Sequence, residues 1–150
     1  MKRKQTTWLP KEKLVITELS GDLDKDDIIE WNESLNTTLQ RLPPSTKFKI
    51  LVNLYGFRAR DFEVHKQFRG VIPRTLAAHG WYVGYLRMFP EANVTLSSAN
   101  NIYCVAAAHV HQDETKIRNY ADNYSMRNER FFSDAEAARS WINSISVDQA

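Results

Sequence analysis

The residues best suited to chemistry crowd into one short stretch, FKILVNLYGFRARDFEVHK (48–66). Arg58 and Arg60 alternate there with Tyr55, Phe57 and Phe62, and His65 follows one turn later. A guanidinium fork matches a carboxylate or a phosphate, and aromatic rings add stacking. An apolar run precedes the arginines, so they fall in a loop at the carboxyl end of a strand, where open α/β folds place their ligands. The candidate ligand-binding set is therefore Tyr55, Phe57, Arg58, Arg60, Phe62 and His65. The competing reading is a surface connector whose arginines pair with acids such as Asp61 and Glu63.

Other reactive side chains lack companions. His109 and His111, two apart at the end of a strand, share a face and could hold a metal. With only Asp113 and Glu114 near in sequence, a polar finish to the strand is the simpler reading, and no metal is expected. Cys104 lies in an apolar strand with nothing in sequence to activate it, so it reads as inert core. His65 and His79 fall on the stripe of a helix as boundary residues. Asp22, Asp24, Asp26 and Asp27 lack the spacing of a calcium loop and suit a helix start instead. Glycine-rich phosphate loops, a G-x-S-x-G elbow and zinc-finger spacings are absent from the sequence. No catalytic residue and no cofactor is expected, and the chain reads as a non-enzyme.

The elements that must position these residues alternate. KLVITEL (13–19) is β-prone and closes at Ser20-Gly21. Asp24 then caps a helix with the stripe Ile28, Trp31, Leu35, Leu39 and Leu42, stopped by Pro43-Pro44. In KFKILVNL, Phe48, Ile50, Val52 and Leu54 take one face while Leu51 keeps the other partly apolar, as in an interior strand covered on both sides. A helical stripe over 61–79 is interrupted by Gly70 and Pro73, which predicts a kink or two short helices. WYVGYLRMF (81–89) reads as a strand, 91–101 as a loop, IYCVAAAHV (102–110) as a buried strand, 113–126 as a helix and 129–132 as an edge strand. Ser133 and Glu136 then form a capping box that opens a helix presenting Ala138, Trp141, Ile142 and Ile145. The pattern predicts an α/β fold: one mixed, largely parallel sheet of about five strands flanked by helices.

Composition narrows the function classes. The 150 residues are 43% hydrophobic and 25% charged, which fits a single globular domain and excludes disorder or a fibre. The formal charge of +2 is small and comes partly from MKRK, read as a solvated tail, so residues 1–10 are expected to be flexible and 11–147 to form the domain. No nucleic-acid partner is indicated. One cysteine permits no internal disulfide, and no apolar run reaches the length of a membrane span, so a cytoplasmic setting is expected, with no integral membrane segment.

Two stretches resemble a known family. LVITELSGDLDKDD (14–27) is similar to the start of STAS-type domains. IYCVAAAHV, followed by a helix and RFFSDAEAARSWI (130–142), is similar to the end of the SpoIIAA-like branch of that superfamily. The resemblance covers nearly the whole chain as a topology, through degenerate packing patterns. It implies an STAS/SpoIIAA-like fold, which itself resembles lipid-binding CRAL-TRIO domains. Relatives that act as anti-sigma-factor antagonists carry a phosphorylatable serine after the second core strand. Tyr55–Asp61 here holds no serine or threonine, so that switch has no hydroxyl to act on. The function the resemblance implies is binding of an apolar or amphipathic small molecule or lipid without catalysis. The alternative is a protein–protein interaction module, with a protein partner or a homodimer.

Overall fold

The computed structural model describes residues 2–85 and 96–147. Six strands form a mixed, mostly parallel sheet: β1 (Arg3–Leu9), β2 (Leu14–Leu23), β3 (Lys47–Asn53), β4 (Phe57–Ala59), β5 (Tyr103–Val110) and β6 (Glu129–Phe132). The order is β1-β2-β3-β5-β6, with β1 antiparallel to β2, the rest parallel, and short β4 pairing with the far end of β2 at Gly21–Leu23. The α/β expectation holds.

Helices α1 (Lys25–Gln40), α2 (Phe62–Phe68), α3 (Val71–Ala77), α4 (Glu114–Tyr124) and α5 (Ala135–Asn143) flank the sheet. Each parallel connection steps the same way along the sheet, and such crossovers are right-handed, so their helices must land on one face. The packing agrees. Trp31 and Leu35 of α1, Phe68 of α2 and Leu76 of α3 share a core with Val15, Leu19, Phe48, Ile50, Val52 and Ala107. Ala138 and Ile142 of α5 cover the opposite face, against Leu14, Leu51, Ala106, Ala108 and Val110. β3 is thus the interior strand its alternation predicts. Buried Lys49 also points to this second face, where its ammonium donates to the Ile145 carbonyl at 2.9 Å.

Helix ends follow the sequence with one shift. Asp24 caps α1 in a reciprocal box with Asp27, at 3.0 and 2.9 Å. At α5 the cap is Asp134, not Ser133, its carboxylate accepting from the Glu136 N–H at 3.0 Å. On α5, Ala138 and Ile142 are buried and Trp141 is only half-buried, while Ile145, also half-buried, falls just past the helix end. The predicted break in 61–79 falls at Arg69-Gly70. Pro73 stays in the first turn of α3, where its missing N–H would have had no acceptor in the helix.

Two expectations are corrected. Residues 3–9, read as part of a flexible leader, form strand β1. What the sequence conceals is lateral anchoring: Thr6 and Thr17 hydroxyls bond across the pair at 2.9 Å, while Lys2 and Lys4 reach Asp27 on α1 at 2.7 and 2.8 Å. Trp81–Tyr85, read as the start of a strand, joins no ladder and turns at Gly84-Tyr85, while 86–89 lie outside the described residues. Trp81, Val83 and Tyr85 pack against the core instead, with Val83 buried, while Tyr82 stays exposed. Of the predicted loop 91–101, Ala99–Asn101 is a 3-10 turn and 91–95 lie outside the described residues.

The clamp on Asp27 sets a pH dependence. Burial alone would push its carboxyl up, but hydrogen bonds from Lys2, Lys4 and the Asp24 N–H outweigh it and hold the group below its ordinary range. A depressed carboxylate stabilises the fold fully above its unfolded pKa of about 4, and that contribution is lost as pH falls below it. Thermal melts at pH 7 and pH 3 should therefore drop further for wild type than for Asp27→Asn. Equal drops would mean that the clamp does not hold in solution.

Candidate functional site

At the carboxyl end of β3 and β5 the sheet opens into a cavity of about 60 Å³. Its walls come from Val52 and Leu54 after β3, Phe68 of α2, Ile72 of α3, and Ile117 and Tyr120 of α4. Its base is aromatic. Tyr85, His109, Tyr120 and Phe131 meet there, with the His109 ring stacked on Phe131 at 4.8 Å and 16°. Burial and the nearby Glu129 charge push the Tyr85 phenol well above its ordinary value, so it stays protonated.

Beneath the base lies a buried polar pair. Glu129, 0% exposed, places Oε2 2.8 Å from His109 Nε2, and its Oε1 accepts from the Gly84 N–H at 2.8 Å. His109 itself is 6% exposed and hydrogen-bonded, so the polar finish expected at the end of this strand is buried and capped by Glu129 rather than solvated. Gly84 fits only as glycine, since a Cβ there would sit 2.3 Å from the Tyr124 carbonyl oxygen. Glu129 thus ties the 81–85 stretch to β5 and β6.

The mouth carries nitrogen bases. His65 comes from α2 and Arg69 from its C-cap, His111 follows β5, and Lys116 rises from the first turn of α4. Burial, then the Lys116 charge, pushes the His111 imidazole down to about 4, and its Nδ1 accepts from the Asp113 N–H at 3.0 Å. His65 is lowered by burial and by the charges of Lys116 and Arg69. Burial also lowers the Lys116 ammonium, which stands 5.8 Å over the Tyr120 ring.

The six residues singled out in the sequence separate. His65 lines the cavity. Phe57, 6% exposed, is core, stacked on Phe68 at 4.2 Å. Tyr55 and Phe62 are 57% and 63% exposed, with the Arg69 guanidinium 5.6 Å over the Phe62 ring. Arg58 is exposed on β4, and Arg60 pairs with Asp24 at 3.7 Å rather than with Asp61 or Glu63. Asp61 instead caps α2, accepting from the Val64 N–H at 3.0 Å. Gly56, at φ +92°, makes the turn that separates these groups from the strand, held by the Gln112 side chain at 2.9 Å.

Sequence reasoning missed Glu129, Lys116 and Tyr120. A signal for Glu129 existed: it shares a face with Phe131 two residues on, and Phe131 is a core type. Among the described residues no three His, Cys, Asp or Glu side chains converge to hold a metal, and Cys104 is buried with its thiol pushed up by burial. No described helix is long and apolar enough to cross a membrane.

Fold and cavity together define an α/β protein with an amphipathic pocket at the carboxyl end of its sheet. Compared with protein families, curated proteins and solved structures, the chain matches none.

Proposed function

We propose that the protein is a non-catalytic binding module of SpoIIAA-like type that takes a small apolar or amphipathic ligand at the end of β3 and β5. The cavity carries this reading, with apolar walls, a base of aromatic rings and His109, and charged groups at its mouth. Ligand sites have that composition. The element order also suits the resemblance, with β2 leading into α1 and β5, α4, β6 and α5 closing the chain. Free, buried Cys104 suits a reducing compartment such as the cytoplasm.

Size limits the ligand. A cavity of roughly 150 Å³ accepts benzene, whereas this one measures about 60 Å³. Only a short apolar end enters, and the remainder lies at the mouth. A second reading, a protein-partner surface, draws on exposed Tyr55 and Phe62 beside Arg58 and Arg60.

One titration separates the two. Short aliphatic alcohols should perturb NMR signals of Ile72, Ile117 and Tyr120 in wild type. Ile117→Phe, which fills the space at a cost of ~1–3 kcal/mol, should abolish the effect, and Arg58→Ala with Arg60→Ala should not. Absence of any perturbation in folded wild type, with a partner captured only through the arginine corner, would favour the second reading.

A further inference from the structure

We infer that the ligand is a small amphipathic monocarboxylate, its apolar end between Val52, Ile72 and Tyr120 and its carboxylate at the mouth against Lys116, His65 and His111. This rests on the ligand-binding reading above and adds the charge of the occupant.

His65, His111 and Lys116 all line the same cavity, and the Lys116 charge acts on both imidazoles and that of His65 on His111. Lys116 and Arg69 are the cations of this half-buried rim, and like charges repel least when an anion sits among them. The carboxylates nearby are held by other hydrogen bonds, although the Asp113 charge still acts on His111 and Lys116. Asp113 caps α4, its Oδ1 accepting from the Lys116 backbone N–H at 3.1 Å. Glu129 lies below the base, held by His109 and by Gly84. Among the described residues Lys116 has no carboxylate within ion-pair distance; its ammonium stands over the Tyr120 ring instead. Arg69, the other cation of the rim, lies over Phe62.

Charge matching selects a monoanion. At pH 7 His111 is neutral; Lys116 and Arg69 bring two positive charges to the rim and Asp113, whose charge acts on Lys116 and His111, offsets one, so one further negative charge balances the mouth. A phosphate monoester would bring close to two charges to a half-buried rim and pay more desolvation. The aliphatic walls select a hydrocarbon end, and the small volume keeps it short.

Binding on these terms is linked to protons. A carboxylate beside His111 favours the imidazolium, so the imidazole rises from about 4 in the free protein and takes up a proton on binding. Affinity then grows as pH falls below the raised value and stops growing near 4. The ligand's own carboxyl protonates at about 4 to 5, so affinity peaks near about pH 5. The remaining groups facing the mouth do not reverse this slope. His65, lowered by burial and by the charges of Lys116 and Arg69, gains a proton beside a carboxylate in the same direction. The Lys116 and Asp113 charges act on His111 in opposite senses. The phenols of Tyr85 and Tyr120 are both pushed up by burial, and Val52, Leu54 and Ile72 carry no charge.

The test is an NMR titration of the full chain with butanoate and hexanoate beside 1-butanol and 1-hexanol, between pH 8 and pH 5.5. A charge-assisted hydrogen bond should make each acid bind about tenfold tighter than its alcohol at pH 6, and the gap should widen as pH falls. Lys116→Met, which keeps the stem and removes the charge, should shrink that ratio towards one. If acid and alcohol bind equally in wild type, or the ratio survives in Lys116→Met, the carboxylate inference fails while the cavity reading stands. If neither class binds, both fail. Should Lys116→Met melt early, the wild-type ratio and its pH slope decide.

Discussion

Replacing Glu129 with alanine should lower stability by roughly 2–6 kcal/mol, the cost of orphaning two buried partners at ~1–3 kcal/mol each. The partners are His109 Nε2 and the Gly84 N–H, both 2.8 Å from the carboxylate. Glu129 is 0% exposed, so water cannot replace either bond without opening the base of the cavity. Glu129→Gln should lose much less, because one amide oxygen still accepts from Gly84 and the amide nitrogen can still reach His109. Chemical denaturation of the three proteins checks the order, and an alanine variant as stable as wild type would mean that the pair is not formed. Hydrogen exchange adds a local readout: the Gly84 amide should lose its protection in the alanine variant before the amides of β3 do.

Trp31→Ala should be comparably severe, at ~3–5 kcal/mol for an aromatic cut out of a closed core. Trp31 is fully buried, stacks on Phe68 at 5.9 Å, and donates its indole N–H to the Thr17 hydroxyl at 2.7 Å. That hydroxyl also meets Thr6, so one side chain joins α1, β2 and β1. Trp31→Phe keeps most of the volume and drops the hydrogen bond, and should cost about 1 kcal/mol for it. An alanine midpoint within error of wild type would mean that α1 is not docked on the sheet as described.

The sequence was most legible where apolar periodicity is strong. The stripe of α1, the two-faced pattern of β3 and the small-residue run of β5 each announce the element and its burial. It was least legible where position depends on a partner distant in the chain. β1 has a polar, charged composition and is held by Thr17 and Asp27, 11 and 23 residues or more away. Trp81–Tyr85 has the residue types of a strand, yet Gly84 is bound by Glu129, 45 residues on, and the ladder goes unused. The candidate site was half legible for the same reason. The arginine corner stood out because its residues adjoin in sequence, but of that set His65 alone reaches the cavity. Lys116, Tyr120 and Glu129 come from other elements and meet it only through the order β3-β5-β6.

The one-sided placement of the crossover helices constrains when this chain can finish folding. The second face of the sheet is closed by α5, the last helix of the described chain to leave the ribosome, and its ties reach far back: Arg139 to Glu12 at 3.0 Å, and the Ile145 carbonyl to Lys49. At ~5–20 residues per second of synthesis, Leu14 and Leu51 wait several seconds, unshielded, for Ala138 and Ile142. During that interval the nascent sheet presents an apolar surface of the kind chaperones hold. Ribosome-bound chains stalled before Asp134 should therefore recruit such factors, and chains that extend beyond Val147 and clear the exit should release them.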